Sequence, residues 1–102
     1  MVIEWLTFRV KPELREEFIK KDEAIWTATL SQQDGFLSKE VWIAPDREDR
    51  VFFVIRWQTR EQWKAVPMKL LAETDRKFMS AIGKKNYKML ESKEYNVRKF
   101  PN

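Results

Sequence analysis

Residues 51–58, Val-Phe-Phe-Val-Ile-Arg-Trp-Gln, constrain this chain more than any other segment. They are β-branched and aromatic, as strands are. A strand here puts Val51, Phe53, Ile55 and Trp57 on one face and Phe52 and Val54 on the other. An antiparallel sheet with one wet face should alternate apolar with polar. This strand has no wet face. Residues 2–10, VIEWLTFRV, behave alike, with Leu6 and Phe8 opposing Ile3 and Trp5. The sheet therefore needs cover on both sides.

One cover is helical. Pro12 suits a first helical position, and Glu13, Glu16 and Glu17 suit the positive end of the dipole. From there to about Gln32, Leu14, Phe18, Ile25 and Thr29 fall in one arc, widened by Ile19, Trp26 and Leu30. Gly35 then supplies a left-handed stop. Residues 36–43 read as a second strand, with Phe36, Ser38, Glu40 and Trp42 on one face and Leu37, Lys39, Val41 and Ile43 on the other. Residues 44–50 read as a polar turn, which makes strands two and three a hairpin. Thr59 and Gln62 match a capping box that opens a short helix ending near Pro67. A long helix follows over about residues 68–82, with Met68, Leu71, Phe78, Met79 and Ile82 as its stripe and Gly83 as its stop. Residues 84–89 read as an irregular basic connection and 90–100 as a fourth strand.

Strand, helix, strand, strand, helix, strand predicts one α+β domain over residues 1–102. It is a ferredoxin-like βαββαβ sandwich, a four-stranded antiparallel sheet with two long helices on one face. The other face would expose an aromatic patch that soluble monomers rarely carry. A second copy packed sheet to sheet covers it most economically, so a homodimer is expected. Loops or the C-terminal tail are the alternative cover.

The chain has no Cys and no His. That excludes thiolate nucleophiles, Ser-His-Asp triads and Cys- or His-ligated metals. Two Gly make neither a P-loop nor a dinucleotide fingerprint. Asp46, Glu48 and Asp49 cluster, but Arg47 and Arg50 offset them and the calcium-loop pattern is absent. No metal and no cofactor are expected. The net charge is +4, held as −3 over residues 1–50 and +7 over 51–102. The helical faces lack the aromatic–basic interleaving of single-strand binders, so nucleic acid is not an expected partner. The longest apolar run is five residues, 51–55, so no membrane span is expected, and Glu4 and Arg9 do not suit a signal peptide. A cytoplasmic location is the expectation.

Trp57-Gln-Thr-Arg-Glu-Gln-Trp63 resembles the W-x-[ST]-x-E-x-(apolar) signature of antibiotic-biosynthesis-monooxygenase-like domains. Gly35-Phe36-Leu-Ser-Lys-Glu-Val41 is similar to their G-F-x-x-x-x-V strand, and Phe8-Arg-Val-Lys-Pro12 to the end of their first strand. The resemblance reaches to about residue 83. The whole layout also resembles a family of short cyanobacterial proteins of unknown function. The resemblance implies a dimeric α+β barrel with a pocket between sheet and helices in each subunit. Oxygenating and haem-degrading relatives carry a polar group, often His, on the helix after the Trp signature. Here those positions read Lys64-Ala65-Val66. Haem degraders also use an Asn on the first strand, and this chain has Asn at 86, 96 and 102 alone. Haem chemistry is therefore not implied. A binder of a small apolar or aromatic molecule, a monooxygenase-like enzyme and a non-catalytic interaction module all stay open.

Four residues are the candidate ligand-binding set: Asp22, Trp26, Arg56 and Trp63. Asp22 falls inside the apolar arc of the first helix, as Asp75 does in the second. An apolar setting raises a carboxylate's pKa and suits acid–base work. Ion pairing with Arg56, Lys21 or Lys77 is the structural alternative. Arg56 shares its face with Phe52 and Val54, and calls for a carboxylate from a ligand or from Glu40 or Glu4. Trp26 and Trp63, on helices facing the sheet, would border a pocket.

Overall fold

In the computed structural model, which describes residues 1–101, four strands form one antiparallel sheet in the order β2-β3-β1-β4. They are β1 (Val2–Val10), β2 (Phe36–Ala44), β3 (Arg47–Trp57) and β4 (Tyr87–Asn96). The helices are α1 (Arg15–Asp22), α2 (Ala28–Leu30), α3 (Arg60–Lys64) and α4 (Met68–Ile82). This is the ferredoxin-like α+β fold. β1 and β3 occupy the centre and pair over eight positions, from Val2 opposite Trp57 to Arg9 opposite Arg50. A central position covers their edges and not their faces: on the outer face Ile3, Trp5 and Phe52 are only half-buried, the apolar side that the sequence pattern leaves in need of cover.

Alternation sorts the side chains. Val2, Phe8 and Val10 of β1 and Val51, Phe53, Ile55 and Trp57 of β3 are buried and join the helical core. Phe18 and Phe78 close over them. The Phe18 ring lies 5.9 Å from Phe53 and 5.2 Å from Phe78, centroid to centroid. Such pairs contribute about 0.5–1.5 kcal/mol each beyond area burial. The opposite face carries Trp5, Trp42 and Phe52, with Trp5 packed 5.6 Å from Trp42 and 5.7 Å from Phe52.

Several boundaries differ from the sequence expectation, each for a local reason. β3 begins at Arg47, so the polar residues read as a long turn are mostly paired strand. Their charges lie on a sheet end where solvent and ion pairs accommodate them; Arg50, for example, meets Asp49 at 2.7 Å. β4 begins at Tyr87, not at 90, because a 3-10 turn over Lys84–Asn86 takes up the connection. Met68 leaves the α4 stripe and is 84% exposed, since it starts the helix directly after Pro67. Thr74 takes a buried place instead, donating its hydroxyl to the Leu70 carbonyl at 2.7 Å. The α3 cap forms as expected, with the Gln62 amide donating to the Thr59 hydroxyl at 3.1 Å.

Two irregularities re-aim side chains. A register shift between Phe36 and Ser38 turns Phe36 onto the helical side, where it packs edge-on to Trp57 at 5.7 Å. Simple alternation had placed it with Ser38 and Glu40. The second is a π turn, Glu23–Thr27, between α1 and α2. A spacing of four drifts about 40° per step on a straight helix, so three steps would swing Leu30 about 120° from Phe18. The π turn absorbs one extra residue. Phe18, Asp22, Trp26 and Leu30 consequently line up toward the sheet, the first, second and fourth buried and Trp26 half-buried.

Candidate functional site

Between sheet and helices lies a cavity of about 350 Å³. Its walls are mainly apolar: Leu6, Ile55 and Trp57 from the sheet, Trp26, Trp63 and Leu71 from the helices. Asp75, Met89 and Ser92 also line it and are exposed, which places the mouth between α4 and the edge strand β4. Asp22, Phe53 and Val66, all buried, mark the closed part.

Besides Asp75 at the mouth, three charged side chains project into this apolar space. Asp22 comes from the last turn of α1, Lys39 from β2 and Glu4 from β1. Lys39 Nζ donates to Asp22 Oδ2 at 2.5 Å, and the two side chains are 3% and 1% exposed. The same ammonium sits 4.2 Å above the Phe53 ring centroid. Glu4 accepts from Trp57 Nε1 at 3.1 Å. Asp22 Oδ1 is buried and has no hydrogen-bond partner among the described residues. Thr27 lies near enough to favour the ionised carboxylate, but its hydroxyl makes no hydrogen bond to that oxygen.

Burial shifts all three groups toward neutrality. It raises the Asp22 carboxyl, against the opposing charge and hydrogen bond of Lys39. It lowers the Lys39 amine, against the charges of Asp22, Glu4 and Glu23. It raises Glu4, against the Trp57 hydrogen bond and the charges of Lys39 and Lys64. At the other end of the cavity, burial and then the Asp75 charge raise the Tyr87 phenol. Burial thus moves Asp22 and Lys39 toward each other, the direction that eases proton transfer between groups in contact and that general acid–base work uses.

Three of the four candidate residues meet here: Asp22, Trp26 and Trp63 line the cavity. Arg56 does not. Alternation along β3 sends it to the opposite face, across from Ile3 and Ser38, where it pairs with Glu40. Its place beside Phe52 and Val54, already visible in sequence, is the aromatic outer face rather than the helical one. Asp22 takes none of the partners expected for it, and Lys21 instead faces Glu17 at 3.8 Å. Lys39 and Glu4 were missed as site residues. Lys39 was legible through parity, since it precedes Val41 by two on the inner face. Glu4 was legible in the same way, as the polar member of the Leu6–Phe8 face. Among the described residues no group of three or more acidic side chains is placed to hold a metal ion.

The pattern of one protein family, antibiotic biosynthesis monooxygenase, matches residues 1–66. No curated protein matches the chain. Solved structures share its fold. A Deinococcus radiodurans protein named for antibiotic biosynthesis monooxygenase superposes with a TM-score of 0.72 at 17% identity, over 100% of this chain and 97% of its own. A similarly named protein from Chloroflexus aurantiacus J-10-fl gives 0.69 at 20% identity, over 99% and 96%. SnoaB, a cofactor-independent oxygenase from Streptomyces nogalater, gives 0.68 at 14% identity, over 97% and 94%. These identities show a common fold and no more. The family pattern runs through β1, α1, β2, β3 and α3, the elements that carry Glu4, Asp22, Lys39 and Trp63, and the chain belongs to the antibiotic biosynthesis monooxygenase family.

Proposed function

We propose that this chain is a single-domain homodimer in which each subunit takes one small apolar or aromatic molecule between sheet and helices. On that molecule the Asp22–Lys39 pair moves a proton, as a monooxygenase-like enzyme would require. The observation that carries this reading is the buried ion pair at the closed part of an apolar cavity of about 350 Å³. Volumes of that order suit small-molecule ligands. Trp26 and Trp63 supply flat walls, and Asp22 Oδ1 offers an unused acceptor. Arg56 has no part in it. Kinship to short cyanobacterial proteins, resting on the layout, and a cytoplasmic location belong to the same proposal; among the described residues no helix is long and apolar enough to cross a membrane.

The competing reading is a non-catalytic interaction module. It calls for a cavity filled by Trp and Phe side chains, and the open volume supports the binder over it. Native mass spectrometry of gently purified protein separates them. A mass near twice 12.4 kDa with a small adduct is the expected result. The Asp22→Asn variant should keep the dimer and lose the adduct. A clean dimer that also fails to take up small aromatic molecules would favour the module.

A further inference from the structure

We propose that Lys39 is an amine nucleophile, and that the ligand class of this cavity is a small apolar or aromatic aldehyde, held as an imine. The proposal rests on the reading that the cavity takes a small apolar molecule, and adds what happens to it there. A lysine wanted only as a counter-charge could stay at the surface, where lysines are normally found. This one is 3% exposed, opens onto the cavity and touches one carboxylate at 2.5 Å. A hydrated ammonium is a poor nucleophile because its lone pair holds a proton. Here that proton has an acceptor already in contact, and burial shifts Asp22 up and Lys39 down, the direction that eases its transfer. The charges of Asp22, Glu4 and Glu23 favour the ammonium and oppose that shift, so the free amine is reached by direct transfer of its proton to the Asp22 carboxylate in contact with it.

The step balances without an outside reagent. Asp22 takes a proton from Lys39, freeing the Nζ lone pair. Nζ adds to the carbonyl carbon as the C=O π pair moves to oxygen. A proton passes from nitrogen to that oxygen, giving a carbinolamine. Asp22 returns its proton to the hydroxyl, which leaves as water while the nitrogen lone pair forms C=N. The products are a protonated imine, water and the Asp22 carboxylate, which again faces a cation. Nothing is oxidised or reduced.

Benzaldehyde and sodium cyanoborohydride test this on the intact protein at neutral pH, with benzyl alcohol as the non-carbonyl control. The hydride turns an imine into a stable benzylamine that peptide mapping locates among the twelve lysines. Expected is at least tenfold more benzylation at Lys39 than at the average of the other lysines. The Met1 α-amino group is the internal reference. Asp22→Asn should cut the Lys39 signal at least tenfold and leave the Met1 signal unchanged. Quenching of tryptophan fluorescence reports binding separately. If both compounds bind and Lys39 stays unmodified, the nucleophile proposal is overturned and the binding reading survives. If neither binds, both fall.

Discussion

Removing one member of the Asp22–Lys39 pair leaves the other buried and alone, and such losses cost about 3–5 kcal/mol. Lys39→Met should therefore lower unfolding free energy by about 3 kcal/mol, read by urea denaturation, since protonation of Asp22 limits the damage. Adding Asp22→Leu to it should restore most of the loss, because an apolar pair of similar size is often neutral. A Lys39→Met protein as stable as the parent would mean that the pair is solvated. Glu4 gives a pH signature. Burial raises its folded pKa above the ordinary 4.5. The folded state then binds more protons than the unfolded one, so stability is fully present below 4.5 and falls as pH rises through the folded value. Glu4→Gln keeps an acceptor for Trp57 and should melt higher than the parent at neutral pH, the gain vanishing below 4.5. Equal melting curves at every pH would contradict the burial argument. At this scale the sequence was half legible. Asp22 stood out because a carboxylate interrupted an apolar arc. Parity put Lys39 on the inner face, but its pairing with Asp22 was hidden, because the contact joins α1 to a strand 17 positions on and no spacing rule spans them.

Elements were legible where a period runs uninterrupted and less so where one residue is inserted. β1 ends where alternation ends, and α4 spans its full apolar stripe. The π turn and the bulge at the start of β2 break the 3.6 and 2.0 periods by a single residue, and so redirect side chains that simple counting assigns elsewhere. Gly35 shows how tightly that corner is built. Its φ is +85°, and a Cβ there would lie 2.6 Å from Cβ of Gln62, the residue that completes the α3 cap. Gly35→Ala should cost about 2 kcal/mol or more, combining left-handed strain with overpacking. Chemical denaturation measures it, and a change below about 0.5 kcal/mol, the usual range for surface substitutions, would show that the corner relaxes freely.

For the whole molecule the two-sided apolar pattern of β1 and β3 was the informative feature, and its outer face is what the homodimer reading uses. Trp42 is 44% exposed there, beside Trp5 and Phe52. Trp42→Glu should shift sedimentation from dimer to monomer while leaving the far-ultraviolet circular dichroism of the subunit intact. A parent protein that sediments at 12.4 kDa would remove the basis for that assembly. The site itself was less legible, because a cavity depends on how far two layers stand apart, and no residue pattern states that distance.

The same alternation divides the tryptophans. Trp5 and Trp42 stand on the outer face, while Trp26, Trp57 and Trp63 border the cavity. The molecule thus carries two sets of intrinsic fluorophores separated by the thickness of one sheet. Removing the outer pair would leave an emission that reports occupancy alone, and removing the inner three would leave one that reports assembly. A single spectrum, taken on two such variants, could tell whether filling the cavity is felt on the other side.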